Sequence, residues 1–279
     1  MTRLPNFLYI GPDKAGSSWL HETLIRHPEV YLTPAKDLYY FDRYYDRGTE
    51  WYADQFRGAT DSQPIVGEIC QDYLFHPEAS ARIAKTLEDP QLMVSLRDPV
   101  ERAWSSWLYA RKHGMWPADF GEALRSVEEL LGHSRYATGL DRFTTHHDRD
   151  RIHIAVFDDL VADPQAFLDA TTDFLGVATM PLTEDDLAAK LPAAKARSLM
   201  VANAARRTAD WVREHDGARL VGAVKRSRLA HRLLYQPIDK SSVRPDQASV
   251  DYIREQLDDE VTRIENVYGV AVRERWGWR

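Results

Sequence analysis

Two short stretches hold the side chains best suited to do chemistry. In FLYIGPDKAGSSWL, residues 7–20, an apolar run enters a loop with glycines at 11 and 16, a lysine at 14 and serines at 17 and 18. A strand that turns through glycines into a helix presents successive backbone N–H groups to an anion, and the helix N-terminus adds partial positive charge. Gly16 has no Cβ and lets the backbone approach an oxyanion closely. Ser17 and Ser18 can cap the helix or donate their hydroxyls to the same anion. Lys14 supplies a compact charge that can follow a developing negative oxygen. The plainer reading is an ordinary strand-to-helix turn capped by Ser17. The triphosphate loop G-x-x-x-x-G-K-[ST] carries its lysine after the second glycine. Here the glycine spacing is kept, but the lysine comes before the second glycine and residue 17 is serine. The loop reads as built for a phosphate, though not for the usual magnesium-bound triphosphate.

The second stretch is LMVSLRDPVERAWSSWLYARKHG, residues 92–114. Arg97 ends a predicted strand on the carboxyl edge of a sheet, where ligands collect in open α/β folds. Ser105 follows eight residues on, two helical turns along. A guanidinium fork and a hydroxyl held in this way can grip a second phosphate. The competing reading pairs Arg97 with Asp98 or Glu101 and leaves Ser105 as a solvated helix serine.

The elements that must position these groups are set by the pattern of the chain. Short apolar runs at Asn6–Ile10, Ile65–Glu68, Gln91–Leu96 and Ile152–Phe157 alternate with amphipathic stretches, the signature of a parallel sheet flanked by helices. Helices are predicted over 17–26, from the Asp98-Pro99-Val100-Glu101 cap onward, and from Asp163-Pro164 to Gly176. The first of these three stops before His27-Pro28. A last helix after Pro245 is predicted to bury Val250, Ile253, Leu257, Val261, Ile264 and Val267 before Gly269. The alanine- and arginine-rich stretch 183–245 reads as helices and loops over one end of the sheet. The expected fold is therefore α/β: a single domain over 1–279 with a central parallel sheet, a P-loop-like strand–loop–helix, and the segment 183–279 packing over the core.

Composition narrows the function classes. A formal charge of −7 gives no basic field for nucleic acid. Cys70 is the only cysteine, which excludes an internal disulfide framework and suits a reducing compartment. The first residues hold too short an apolar run for a signal peptide, and no run of about 18 apolar residues occurs. A cytoplasmic protein without membrane contact is the expectation, and its oligomeric state is open. No HExxH, paired-cysteine or other metal-ligand spacing occurs, so no metal is expected.

Together the two stretches resemble the sulfotransferases that use 3′-phosphoadenosine 5′-phosphosulfate (PAPS), in their bacterial and heparan-type branch. Lys14-Ala15-Gly16-Ser17-Ser18 matches the family's 5′-phosphosulfate loop, K-x-G-[ST]-[ST]. Arg97 and Ser105, within LRDPVERAWSS, match its 3′-phosphate motif. The segments GTEWYADQF (48–56), GEICQDYLFHPEASARI (67–83) and FDDLVADPQAFLDATTDFLGV (157–177) look like further family segments, and the likeness is thin beyond 177. The resemblance implies in-line transfer of a sulfuryl group from PAPS to a hydroxyl or amine of a small-molecule acceptor, releasing adenosine 3′,5′-bisphosphate. Positioning and electrostatics should carry most of such a reaction. It implies that Lys14 stabilises charge on the bridging oxygen, that residues 15–18 hold the 5′-phosphate, and that Arg97 and Ser105 hold the 3′-phosphate. It also implies a general-base glutamate where this chain has Gly67-Glu68; an ion pair to Lys14 or an arginine is the other reading of Glu68. Of the ten histidines, the base in the cytosolic branch, His76 and His113 are nearest in sequence to the motifs.

Two family features are missing from the sequence. No late R-K-G-like loop exists, and Arg197, Arg206, Arg207, Lys225 and Arg226 are equal candidates to replace it. No aromatic is marked as the adenine platform, and Trp107 fits the core as well as it fits that role. The aromatic-dense stretch 39–56 suits either an acceptor cleft or packing, and Lys36 and Arg43 suit either an acidic acceptor or solvent. Two alternatives stand beside the enzyme reading. A P-loop kinase or nucleotide hydrolase would take IHIAVFDDL (152–160) as its magnesium strand, and a binding module would keep the loop without turnover.

Overall fold

A computed structural model describes residues 3–188, 194–196, 235–237 and 244–278. Five strands, β1 (Phe7–Gly11), β2 (Val30–Leu32), β3 (Ile65–Ile69), β4 (Gln91–Leu96) and β5 (Ile152–Val156), form one sheet in the order β2-β3-β1-β4-β5. Every pairing in it is parallel. The four predicted strands are all present. β2 was not predicted: three residues long and at the edge, it is too short to show a period. Phe157 opens a helix rather than closing β5.

Helices cover both faces. α1 (Ser17–Leu24), α8 (Phe157–Ala162) and α9 (Pro164–Leu175) lie on one face. On the other lie α3 (Ala79–Thr86), α4 (Pro99–Lys112), α5 (Phe120–Ser126), α6 (Glu128–Gly132), α7 (Tyr136–Thr144) and α11 (Gln247–Asn266). The short helices α2 (Gly48–Asp54) and α10 (Glu184–Ala188) flank them, and a separate antiparallel pair joins β6 (Ala194–Ala196) to β7 (Tyr235–Pro237). The strands are apolar on both sides because both faces are covered. Phe7 and Tyr9 of β1 with Met93 of β4 point to the α1/α9 side, while Leu8, Ile10, Leu92, Val94 and Leu96 point to the α4/α11 side. Each fully buried large apolar side chain contributes about 1.5–3 kcal/mol against leaving it in water.

Local signals set the helix ends. Asp98 accepts from the Val100 N–H at 3.1 Å with Pro99 at the first helical position. Asp163 accepts from the Ala166 N–H at 3.0 Å ahead of α9, which Gly176 ends in the left-handed region. Glu101 does not complete a box with Asp98; its carboxylate faces Arg97. α11 buries Ile253, Leu257, Val261 and Ile264 as predicted, but Val250 is only partly buried and Val267, past the helix end, is 64% exposed. Its buried face also carries Glu260, which binds the Thr138 N–H and hydroxyl at the start of α7. Trp107 is core: 3% exposed, stacked on Trp104 at 4.7 Å and donating to the Pro117 carbonyl.

Strand order fixes where a ligand can collect. After β1 the chain fills the β3/β2 side of the sheet, then returns to the other side for β4 and β5. The loops leaving the carboxyl ends of β1 and β4 therefore adjoin at the point where the winding reverses, where open α/β sheets form their crevice.

Candidate functional site

Lys14 and Arg97, 83 residues apart, meet because β1 pairs with β4: Arg97 Nη1 donates to the Lys14 carbonyl at 2.8 Å. The Arg97 guanidinium lies 4.7 Å over the Phe157 ring and its second arm reaches Glu101 at 3.5 Å, while its own carbonyl accepts from the Tyr136 hydroxyl at 2.8 Å. The ion pair to exposed Glu101 is present, and Arg97 is also anchored to the loop. Ser105 is half-buried on α4, and Tyr109 lies one turn farther along the same face. The Lys14 ammonium sits 3.8 Å over the Tyr109 ring.

The loop itself is held by its backbone geometry. Gly11 has φ +127° and Gly16 has φ +94°, and a Cβ on Gly16 would stand 2.7 Å from Leu160 Cδ2. Gly16 therefore answers a left-handed turn and the close approach of α8. Lys14 also occupies the left-handed region, at φ +61°. Gly16 is the helix cap and no side chain caps α1, so the capping reading of Ser17 does not hold. Instead the Lys36 ammonium donates to Ser17 Oγ at 2.9 Å and lies 3.4 Å from Ser18 Oγ. Ala15 is buried and Ser18 exposed.

Behind the loop runs a buried network that sequence reasoning missed. Asp13 accepts from Arg102 Nη1 at 2.7 Å and from the Ser106 hydroxyl at 2.8 Å. Arg102, with no exposed surface, also donates to Ser134 Oγ at 2.6 Å and to the Leu130 carbonyl. His133 Nδ1 lies 3.6 Å from Asp13. Burial alone would push the Asp13 carboxyl up, but Arg102, His133 and Lys14 together hold it well below the usual carboxylate range. Burial pushes the Lys14 amine down to about 8, helped by Lys36, Arg97 and Arg102 and opposed by Asp13. The only sequence signal was an aspartate inside the loop and an arginine on the apolar side of α4.

Among the described residues Glu68 is held by tyrosines and not by Lys14 or an arginine. It pairs in register with Leu8 and projects into the core with no exposed surface; Tyr52 and Tyr73 each donate a hydroxyl to one of its oxygens at 2.6 Å. Burial pushes its carboxyl up to about 7 against those two hydrogen bonds. The Tyr73 oxygen in turn accepts from the Tyr40 N–H at 2.9 Å, so Glu68 braces the chain after residue 37. Tyr40, Phe41, Tyr52 and Phe56 are buried, with Tyr40 and Tyr52 stacked at 4.1 Å, which makes that part of 39–56 packing rather than cleft. Asp37 lies beside the loop. Its backbone is at φ +62°, its N–H donates to the Ile69 carbonyl at 2.7 Å, and one carboxylate oxygen stands 3.7 Å from Lys36 Nζ. Its other oxygen is buried without a hydrogen-bond partner among the described residues.

The histidines near the motifs hold backbone groups: His113 Nδ1 is 2.7 Å from the Tyr109 carbonyl, and His76 Nδ1 accepts from the Glu78 N–H. Asp158 and Asp159, the magnesium strand of the kinase alternative, accept from Trp276 Nε1 at 3.1 Å and pair with Arg275 at 2.5 Å. Arg197, Arg206, Arg207, Lys225 and Arg226 lie outside the described residues.

Residues 67–181 match the model of the sulfotransferase family. Membrane-associated sulfotransferase kil1 of Dictyostelium discoideum is 34% identical over 146 residues, 48% of this chain and 31% of that protein. Heparan sulfate glucosamine 3-O-sulfotransferase 3B1 of Homo sapiens is 31% identical over 185 residues, 63% of this chain and 47% of that protein. The chain thus spans less than half the length of these two relatives. A solved sulfotransferase from Alicyclobacillus acidocaldarius superposes with a TM-score of 0.58 at 24% identity, covering 82% of this chain and 99% of that one. The likeness to sulfotransferases is borne out over these residues, and the α/β fold is shared with them. No helix among the described residues is long and apolar enough to cross a membrane.

Proposed function

We propose that this chain, with the sulfotransferase pattern over 67–181 on the sulfotransferase fold, transfers the sulfuryl group of PAPS to a hydroxyl or amine of a small-molecule acceptor. The observation that carries the reading is the junction of the Lys14 loop with Arg97 at the reversal of the sheet, which sets two cationic subsites side by side. A nucleotide charged at both its 5′ and 3′ ends needs such a pair, and ADP or ATP does not.

In this reading the 15–18 amides and the Ser17 and Ser18 hydroxyls hold the 5′-phosphate, and Lys36, already on both hydroxyls, adds charge there. Arg97 and Ser105 hold the 3′-phosphate. Lys14 stabilises the charge that grows on the bridging oxygen as the sulfuryl group leaves. The acceptor proton passes to Asp37 rather than Glu68. Glu68 has both oxygens closed by tyrosines in the core, whereas Asp37 stands at the loop with one oxygen unclaimed among the described residues. Glu68 then acts at a distance, through Tyr73 and the Tyr40 N–H, on the segment that carries Asp37. The protein works in the cytoplasm on this reading.

The test is release of adenosine 3′,5′-bisphosphate from PAPS across a panel of phenols, alcohols and amines, for the natural chain and for Asp37→Asn and Glu68→Gln. Loss of about 10²-fold or more in kcat for Asp37→Asn, with a much smaller loss for Glu68→Gln, supports the assignment. The reverse order returns the base role to Glu68.

A further inference from the structure

We infer that Tyr109 is a positioning residue for Lys14, a role that rests on the proposed sulfuryl transfer. The Lys14 ammonium lies 3.8 Å from the centre of the Tyr109 ring, the range in which a cation is attracted to an aromatic face. Tyr109 belongs to α4, one turn beyond Ser105, so the helix that carries the second phosphate subsite also carries the platform for the lysine. α4 is fixed relative to the loop by the Arg102–Asp13 and Ser106–Asp13 contacts. Tyr109 is fixed on α4 by His113, whose imidazole lies against its ring at 4.6 Å and whose Nδ1 is 2.7 Å from its carbonyl. Lys14 is thus held from two sides: its carbonyl by Arg97 and its ammonium by the ring.

An aromatic face suits this task better than a carboxylate. A carboxylate would bind the ammonium through its N–H groups and compete with an anionic donor for the same charge. The ring attracts the cation through its quadrupole and leaves N–H groups free to donate to the bridging oxygen. It also explains why a side chain 48% exposed on α4 is a large aromatic rather than a polar residue.

The test compares Tyr109→Leu, which removes the face, with Tyr109→Phe, which keeps it; neither should unfold a chain in which the ring is half in solvent. For Tyr109→Leu the expected result is a kcat lower by about 3- to 30-fold, the range of the ring–cation attraction, with the donor KM and the affinity for adenosine 3′,5′-bisphosphate within about twofold of the natural chain. Tyr109→Phe should keep kcat within about twofold. A second readout needs no turnover: acylation of Lys14 by a small amine reagent, followed by mass spectrometry, should quicken in Tyr109→Leu and not in Tyr109→Phe. A natural chain that turns over, with Tyr109→Leu matching it in both kcat and labelling, overturns the role of Tyr109 and leaves the transfer reading standing. A natural chain that neither binds the bisphosphate nor turns over PAPS overturns both.

Discussion

Replacing Asp13 with asparagine tests whether the phosphate loop is held by charge from behind. Asp13 lies 2.7 Å from an arginine with no exposed surface, and among the described residues no other carboxylate pairs with that guanidinium. At 2.7 Å the pair is worth roughly 6 kcal/mol of direct attraction at an effective dielectric of about 20, most of it offset by the cost of burying both charges. Removing one partner loses the attraction and keeps the cost of the buried cation, which typically amounts to about 3–5 kcal/mol. The asparagine carbonyl can still accept one hydrogen bond, so the lower end, about 3 kcal/mol, is expected. In a chain of this size that lowers the unfolding midpoint by roughly 6–12 °C, read by calorimetry or circular dichroism at about pH 7. The pH dependence gives a second handle. The folded Asp13 carboxyl is held below its unfolded value, so its contribution is present above about pH 4 and is lost as acid titrates it. The gap between the natural chain and Asp13→Asn should therefore shrink below about pH 4. A loss under about 1 kcal/mol at neutral pH, or a gap that ignores acid, would show that Arg102 is satisfied by Ser134 and the Leu130 carbonyl alone.

Three further outcomes are expected from the same geometry. Glu68→Gln should destabilise the chain by about 1–3 kcal/mol in mild acid, through one mismatched tyrosine hydroxyl. Because the folded Glu68 carboxyl is raised from 4.5 to about 7, its contribution fades as pH rises through that window, so denaturant midpoints of the two chains should converge above about pH 7. Gly16→Ala should cost about 1–3 kcal/mol by the same measurement, because alanine must adopt φ +94° beside Leu160; an unchanged midpoint would show that the turn relaxes freely. Trp278→Phe removes the indole N–H that Asp98 accepts at 3.2 Å beside Arg97, and should cost about 1 kcal/mol of stability, with no loss if that bond contributes nothing.

The parts that sequence conveyed best were those governed by local chemistry. β1, β3, β4 and β5 showed as apolar runs because a two-sided parallel sheet buries both faces, and the Asp-Pro caps at 98 and 163 marked where helices start. The Lys14 loop and Arg97 were legible as motifs, yet their contact was not, since it depends on β1 pairing with β4 across 83 residues. Glu68 showed how little a strand end says of surroundings: period-two alternation turns its side chain into the tyrosine cluster, while Lys36, in a loop without periodicity, reaches the phosphate loop with Asp37 beside it. Asp13, Arg102 and Tyr109 carried no motif, and only the packing of α4 against the loop gives them a part to play.

The most direct measurement of the central claim is calorimetric titration of the natural chain with adenosine 3′,5′-bisphosphate, beside AMP, ADP and Mg-ATP, repeated on Arg97→Met. The expected result is tight binding of the bisphosphate, little response to the other three, and a loss confined to the 3′-phosphate in the variant, so that Arg97→Met binds the bisphosphate no better than AMP. Equal binding of Mg-ATP and the bisphosphate, or an Arg97→Met chain with undiminished preference for the 3′-phosphate, would contradict it.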